Sequence, residues 1–167
     1  MDYSERFEKF ENARIIHKNF SGDPTKNYNG NPGRMFCIVI DDYDRALELN
    51  QKGLNVKEKT NQDGEKWWFL SGVHVDYRFD DSRKPTVVMI MQTIDGNVIR
   101  RNLDEETVGI LDFQRIISAD IVIATSNKGA AYLRTMYVTV QDTSYDPFRE
   151  KYKDISFGTD SDDTTPF

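Results

Sequence analysis

The amino-acid sequence predicts a mainly β fold: an antiparallel sheet curled into a small barrel or packed as a sandwich, with two short helices and a polar C-terminal tail. Three observations predict it. Short apolar or alternating stretches with strand periodicity recur as far as Gln141. Turn formers separate them, among them Asp63-Gly64, Asp95-Gly96 and Asn127-Lys128-Gly129. Helical spacing shows at only two short segments. Periodicity alone fits a barrel and a sandwich equally.

In chain order, residues 1–11 mix Phe7 and Phe10 with Glu5, Glu8 and Glu11 and read as an N-terminal arm or short helix. Ala13 to Phe20 is the first strand. Ser21 to Gly33 is a loop of turn formers that carries Lys26 and Tyr28. Met35 to Ile40 is continuously apolar, as in a strand covered on both faces. Asp41 or Asp42 then caps a helix with Tyr43, Ala46 and Leu47 inward, which Gly53 stops. Leu54 to Thr60 and Lys66 to Phe79 form strands around the turn at Asn61–Gly64, with a bulge at Ser71-Gly72. Thr86 to Thr93 and Asn97 to Leu103 pair across Asp95-Gly96. Asp104-Glu105-Glu106-Thr107 opens a second helix that buries Val108 and Leu111. Ile116 to Ala124 and Ala131 to Gln141 are the last strands. The chain thus divides into an arm (1–11), a β body (12–153) and a tail (154–167).

The composition is 38% hydrophobic and 30% charged, with a net charge of −6. Asp154, Asp160, Asp162 and Asp163 put four of those charges in the tail, where no Lys or Arg offsets them. The body is left near neutrality, so an acidic chain can still present a local basic groove. Cys37, the single cysteine, sits in an apolar run and reads as a buried thiol in a reducing compartment. No apolar run approaches the length of a membrane span, and the first residues have no signal-peptide character. The expected location is the cytoplasm.

The last eight residues are too short and polar to bury anything themselves, and read as disordered. Their final ring is a small portable anchor for a pocket with an apolar floor and a basic rim. This ending, Asp162-Asp163-Thr164-Thr165-Pro166-Phe167, resembles the acidic tip of bacterial and phage single-stranded DNA-binding proteins. The body is similar to small phage proteins of the same role at Asn19-Phe20-Ser21-Gly22, Leu54-Asn55-Val56-Lys57, Leu103 to Asp112, and Ala131 to Val140. The resemblance implies an OB-like barrel that holds the strand, in a protein of the bacterial host's cytoplasm. It also implies a tip, Asp160, Asp162, Asp163, Pro166 and Phe167, that recruits replication and recombination proteins.

Binding a single strand without reading its sequence takes flat rings for bases and cations along the phosphates. The ring candidates are Phe20, Tyr28, Trp67, Trp68, His74, Tyr132 and Tyr137. Adjacent residues of a strand point to opposite faces, so Trp67 and Trp68 cannot both enter one core. The cation candidates are Lys18, Arg34, Lys57, Lys59, Arg78, Arg100, Arg101, Lys128 and Arg134. Each of these taken alone is an ordinary surface charge; the expectation is that several converge on one groove. RNA binding and homo-oligomerisation stay open.

Enzymatic signals are missing. His17, His74 and Cys37 have no zinc-ligand spacing, and Gly22, Gly30 and Gly33 do not form a phosphate loop. Caps and turns explain the pairs Asp41-Asp42, Asp80-Asp81 and Glu105-Glu106. The expectation is a non-catalytic protein without cofactor or metal. The alternative is a β-barrel adaptor or virion protein that binds protein only.

Overall fold

A computed structural model describes residues 6–27, 30, 32–80, 83–93 and 95–141. Among them are nine strands: β1 Arg6–Ala13, β2 Ile15–Asn19, β3 Met35–Ile40, β4 Val56–Thr60, β5 Lys66–His74, β6 Thr86–Gln92, β7 Val98–Leu103, β8 Ile116–Thr125 and β9 Ala131–Val140. One helix, α1, spans Tyr43–Gln51, and 3-10 turns cover Pro24–Lys26 and Val108–Phe113. The acidic tail and its tip, and Tyr28 in the first loop, lie outside the described residues.

The sheet runs β1-β8-β9-β5-β3-β2, with β4 added on β5 and the β6–β7 hairpin on β9. Its two ends, β1 and β2, are successive parts of one segment separated by Arg14. No ladder joins them, yet the Val39 N–H donates to the Arg14 carbonyl at 2.9 Å. That bond extends the β2–β3 pairing, so the sheet curls without closing into the expected barrel, and the architecture is consistent with an OB-like β fold. The expected all-antiparallel pairing is corrected to a mixed sheet, because β9 runs parallel to both β5 and β6.

The core fills the inside of this curl. Phe20, Phe36, Ile38, Leu70, Leu111, Ile121, Ile123, Leu133 and Met136 are fully buried there. The cap of α1 is Asp42, whose side chain accepts the Asp44 N–H at 3.1 Å. The helix buries Ala46 and Leu49, not Tyr43 and Leu47, which stay exposed.

Three further differences have physical causes. Residues 6–11 belong to strand β1, in register with β8, instead of forming an arm or helix. Glu8 points inward there because α1 supplies Arg45 at 3.1 Å and Lys52 at 2.8 Å. The second helix is only a 3-10 turn: Asp104 and Thr107 bond each other and their own backbone, which favours a turn. In β9, the register shift opposite Val122 and Ile123 breaks the alternation at Arg134. Leu133 therefore shares the core with Met136 and Val138, while Tyr132, Arg134 and Tyr137 face outward.

Candidate nucleic-acid interface

Strand β5 organises the site. Trp67, Phe69 and Ser71 project from its outer face, while Trp68 and Leu70 project inward. Uninterrupted alternation would then turn Val73 outward. Gly72 prevents this by taking φ +74 in a bulge, as the spacing of Ser71-Gly72 predicts. Leu70 and Val73 both stay in the core, and His74 returns to the face that carries Trp67 and Phe69.

The rings on that face touch. Trp67 and Phe69 have centroids 5.6 Å apart, and His17 meets Phe69 edge-on at 5.8 Å. His17 reaches it from β2 because its backbone adopts φ 52, an uncommon conformation for a residue with a Cβ, at an irregularity between Ile16 and Asn19. Phe69 itself is nearly covered, so it is the floor, and Trp67 and His17 are the accessible members.

Cations come from β4. Lys57 lies opposite Phe69 and Lys59 opposite Trp67, so both ammonium groups share the ring face. Val56 and Glu58 alternate to the other side, toward α1. Lys26 from the first loop completes a groove of about 370 Å³, floored by Met35, Cys37 and Phe69. Among the described residues, three lysines and no carboxylate line it. Flat rings beside amines, with no anion between, suit bases and phosphates.

The wall that holds Lys26 is built from buried polar groups. Asn19, almost fully buried, accepts the N–H groups of Gly22 and Asp23 at 3.1 and 3.0 Å. Its amide donates to the Asp23 carbonyl at 2.9 Å and to Asn27 Oδ1 at 2.8 Å. Asp112 accepts from the Phe20 and Ser21 N–H groups at 2.7 and 2.9 Å and pairs with Lys26 at 3.3 Å. Burial alone would raise the Asp112 carboxyl, but these hydrogen bonds outweigh it and hold it below the ordinary carboxylate range.

Two candidates belong to this wall and not to a binding surface. The Phe20 ring is fully buried and stacks on Phe36 at 5.3 Å, so it cannot meet a base. Lys18 donates to the carbonyls of Leu111, at 2.7 Å, and Gln114, which ties it to the 3-10 turn. Its charge is spent on the fold, and burial lowers its pKa.

The other candidates distribute unevenly. Trp68 faces away from the groove, donates to Glu58 at 3.0 Å and packs on Tyr43 at 5.3 Å. Arg34 and Arg78 border a second depression of about 520 Å³ with His74, next to the groove at Met35. Arg34 is engaged by the Phe20 and Glu105 carbonyls, both at 3.1 Å, and Arg78 by Asp76 at 2.7 Å. Burial pushes the His74 imidazole below its ordinary value, with Asp76 opposing in part, so at pH 7 it offers a neutral ring. Tyr132 and Arg134 lie on the outer face of β9. Arg100 covers Tyr137 at 5.8 Å, on the added β6–β7 side of the sheet. Arg101 is exposed on edge strand β7. Lys128 occupies the β8–β9 turn, which lies against α1's exit so closely that a Cβ on Gly129 would meet the Gly53 carbonyl at 2.3 Å. The groove thus gathers Lys57 and Lys59 from the expected set, with Trp67 beside it against Phe69, and adds His17, Lys26 and Phe69. Phe69 was detectable as the residue sharing Trp67's parity, whereas no local signal marks His17. Phe113, 82% exposed at 6.0 Å from Lys26, is a further ring near the wall.

No curated protein and no solved structure matches the chain. Residues 4–164 match the family described as "Putative phage ssDNA-binding domain". That match takes in nearly the whole chain, including β1, every strand of the groove and most of the acidic tail. The chain belongs to this family of phage single-stranded DNA-binding domains.

Proposed function

We propose that the groove between β2, β3, β5 and β4 holds single-stranded DNA without reading its sequence, covering unpaired strand during phage replication and recombination. The supporting observation is a groove that, among the described residues, has three lysines, a ring floor and no carboxylate, in a protein of net charge −6. Trp67 and His17 stack on bases, worth about 1–3 kcal/mol per base, while Lys26, Lys57 and Lys59 follow the phosphates. The protein acts without catalysis, in the host cytoplasm; among the described residues no helix is long and apolar enough to cross a membrane. RNA competes to the extent that stacking and charge alone govern affinity.

The test is titration with oligo-dT across salt concentration. Each of Lys57→Gln and Lys59→Gln is expected to reduce the slope of log affinity against log salt by about 0.7. Unchanged slopes would remove these lysines from the phosphate path. No binding at low salt would favour an adaptor that binds protein only.

The body, 12–153, and the tail, 154–167, divide the work. The tip, Asp160, Asp162, Asp163, Pro166 and Phe167, recruits replication and recombination proteins by its ring, carboxylate and charges. Deleting residues 157–167 is expected to leave oligo-dT affinity equal or higher and to abolish recruitment in a pull-down of host replication proteins. Loss of DNA binding on deletion would contradict that division.

A further inference from the structure

Beyond Gly72 the outer face does not end. A row of directly opposed residues crosses five strands: Met35 on β3, His74 on β5, Tyr132 on β9, Ala124 on β8 and Phe7 on β1. Opposed residues of neighbouring strands share a face. Met35, at one end of the row, also lines the groove floor. The row is therefore continuous with the groove and leads away from it across the curled sheet.

Its side chains are of the kinds the groove uses. Tyr132 meets His74 at 5.6 Å and Phe79 edge-on at 5.4 Å. The Arg134 guanidinium lies over Phe7 at 5.7 Å, and Arg83 lies over Phe79 at 6.0 Å. Phe7 is 55% exposed, an apolar ring left in solvent where the β1 residues facing the core are Glu8, Phe10 and Ala13. Of the nearby carboxylates, Glu8 points inward to Arg45 and Lys52, Asp76 is paired with Arg78, and Glu105, on the depression that His74 borders, lies 3.9 Å from Arg34. Rings alternating with guanidinium groups form a stacking track.

We propose that the bound strand leaves the groove over His74 and continues onto a second stacking platform, formed by Tyr132, Phe79, Arg134 and Phe7. This rests on the assignment of the groove to single-stranded DNA. Four strand spacings separate Met35 from Phe7, about 19 Å, enough for roughly three to five further nucleotides. The platform makes the site longer than the groove alone and adds affinity only for strands that reach it.

The full-length protein is titrated by Trp fluorescence with a short oligo-dT of about five nucleotides and a long one of about fifteen. Phe7→Ala and Tyr132→Ala are each expected to weaken the long oligonucleotide about tenfold while leaving the short one within about twofold. Tyr132→Phe, which keeps the ring, is expected to retain the long-strand affinity. Wild-type affinity for the long strand in both alanine variants would overturn the platform while leaving the groove standing. Equal losses on both lengths with an unchanged melting temperature would also overturn it, since the platform would then not be separate. Failure of the short strand to bind the wild-type protein would overturn the groove assignment, and the platform with it.

Discussion

Trp67→Ala is expected to weaken oligo-dT binding about 10–100-fold, the loss of one well-placed stacking ring. The two tryptophans make this unusually easy to read. Trp67 stands on the groove face with its ring 5.6 Å from Phe69, whereas Trp68 faces α1, bonded to Glu58. A stacked base quenches an indole only when it touches it. Trp68→Phe is therefore expected to retain the DNA-dependent quenching, and Trp67→Phe to lose it while keeping most of the affinity, because a ring remains. Quenching that followed Trp68 would place the strand on the α1 side. That side carries Glu58, with Asp42 and Asp44 flanking Tyr43, and repels phosphate.

The same pair shows how far the residues reveal the site. Strand alternation alone requires Trp67 and Trp68 to part, and Lys57 and Lys59, two apart on a strand, to stay together; both hold. Turn chemistry places the bulge at Gly72. What depends on distant partners is not legible. Glu8 reads as a solvent charge until α1 brings Arg45 and Lys52 over it. The parallel pairing of β9 with β5 has no signature within either strand. Lys18 and Phe20 look like a cation and a ring beside a loop, yet the carbonyls of Leu111 and Gln114 and the ring of Phe36 claim them. His17 enters the groove through a backbone conformation that its residue type does not announce. Local rules assign faces; the curl of the sheet decides which face is the site.

Asp112 ties the first loop to the groove, and Asp112→Asn is expected to be the most destabilising of the substitutions considered. Its side chain is fully buried, and it satisfies two backbone N–H groups that begin the first loop. An asparagine keeps one acceptor but turns an NH₂ toward donors, so at least one of the two N–H groups loses its partner. The cost is about 3 kcal/mol, since both the charge-assisted bonds and the unsatisfied donor count. In a chain of this length that corresponds to a fall in Tm of about 6–12 °C. Lys26→Gln is the control: the lysine is 42% exposed at its side chain, so its loss should move stability by about 1 kcal/mol or less. The pH dependence has a definite sign. The folded carboxyl titrates below its ordinary value of 3.8, so its contribution is complete above that value. It disappears as pH falls through the lower folded value. The difference in Tm between wild type and Asp112→Asn should therefore be constant from pH 7 down to about 5 and shrink in stronger acid. A difference that grew on acidification would mean that the folded state raises this carboxyl instead. Because Asp112 also positions Lys26 against the groove, the asparagine variant should lose oligo-dT affinity along with stability. Lys26→Gln should lose affinity alone. Separating those two losses shows whether the wall of the site and the scaffold are one construction.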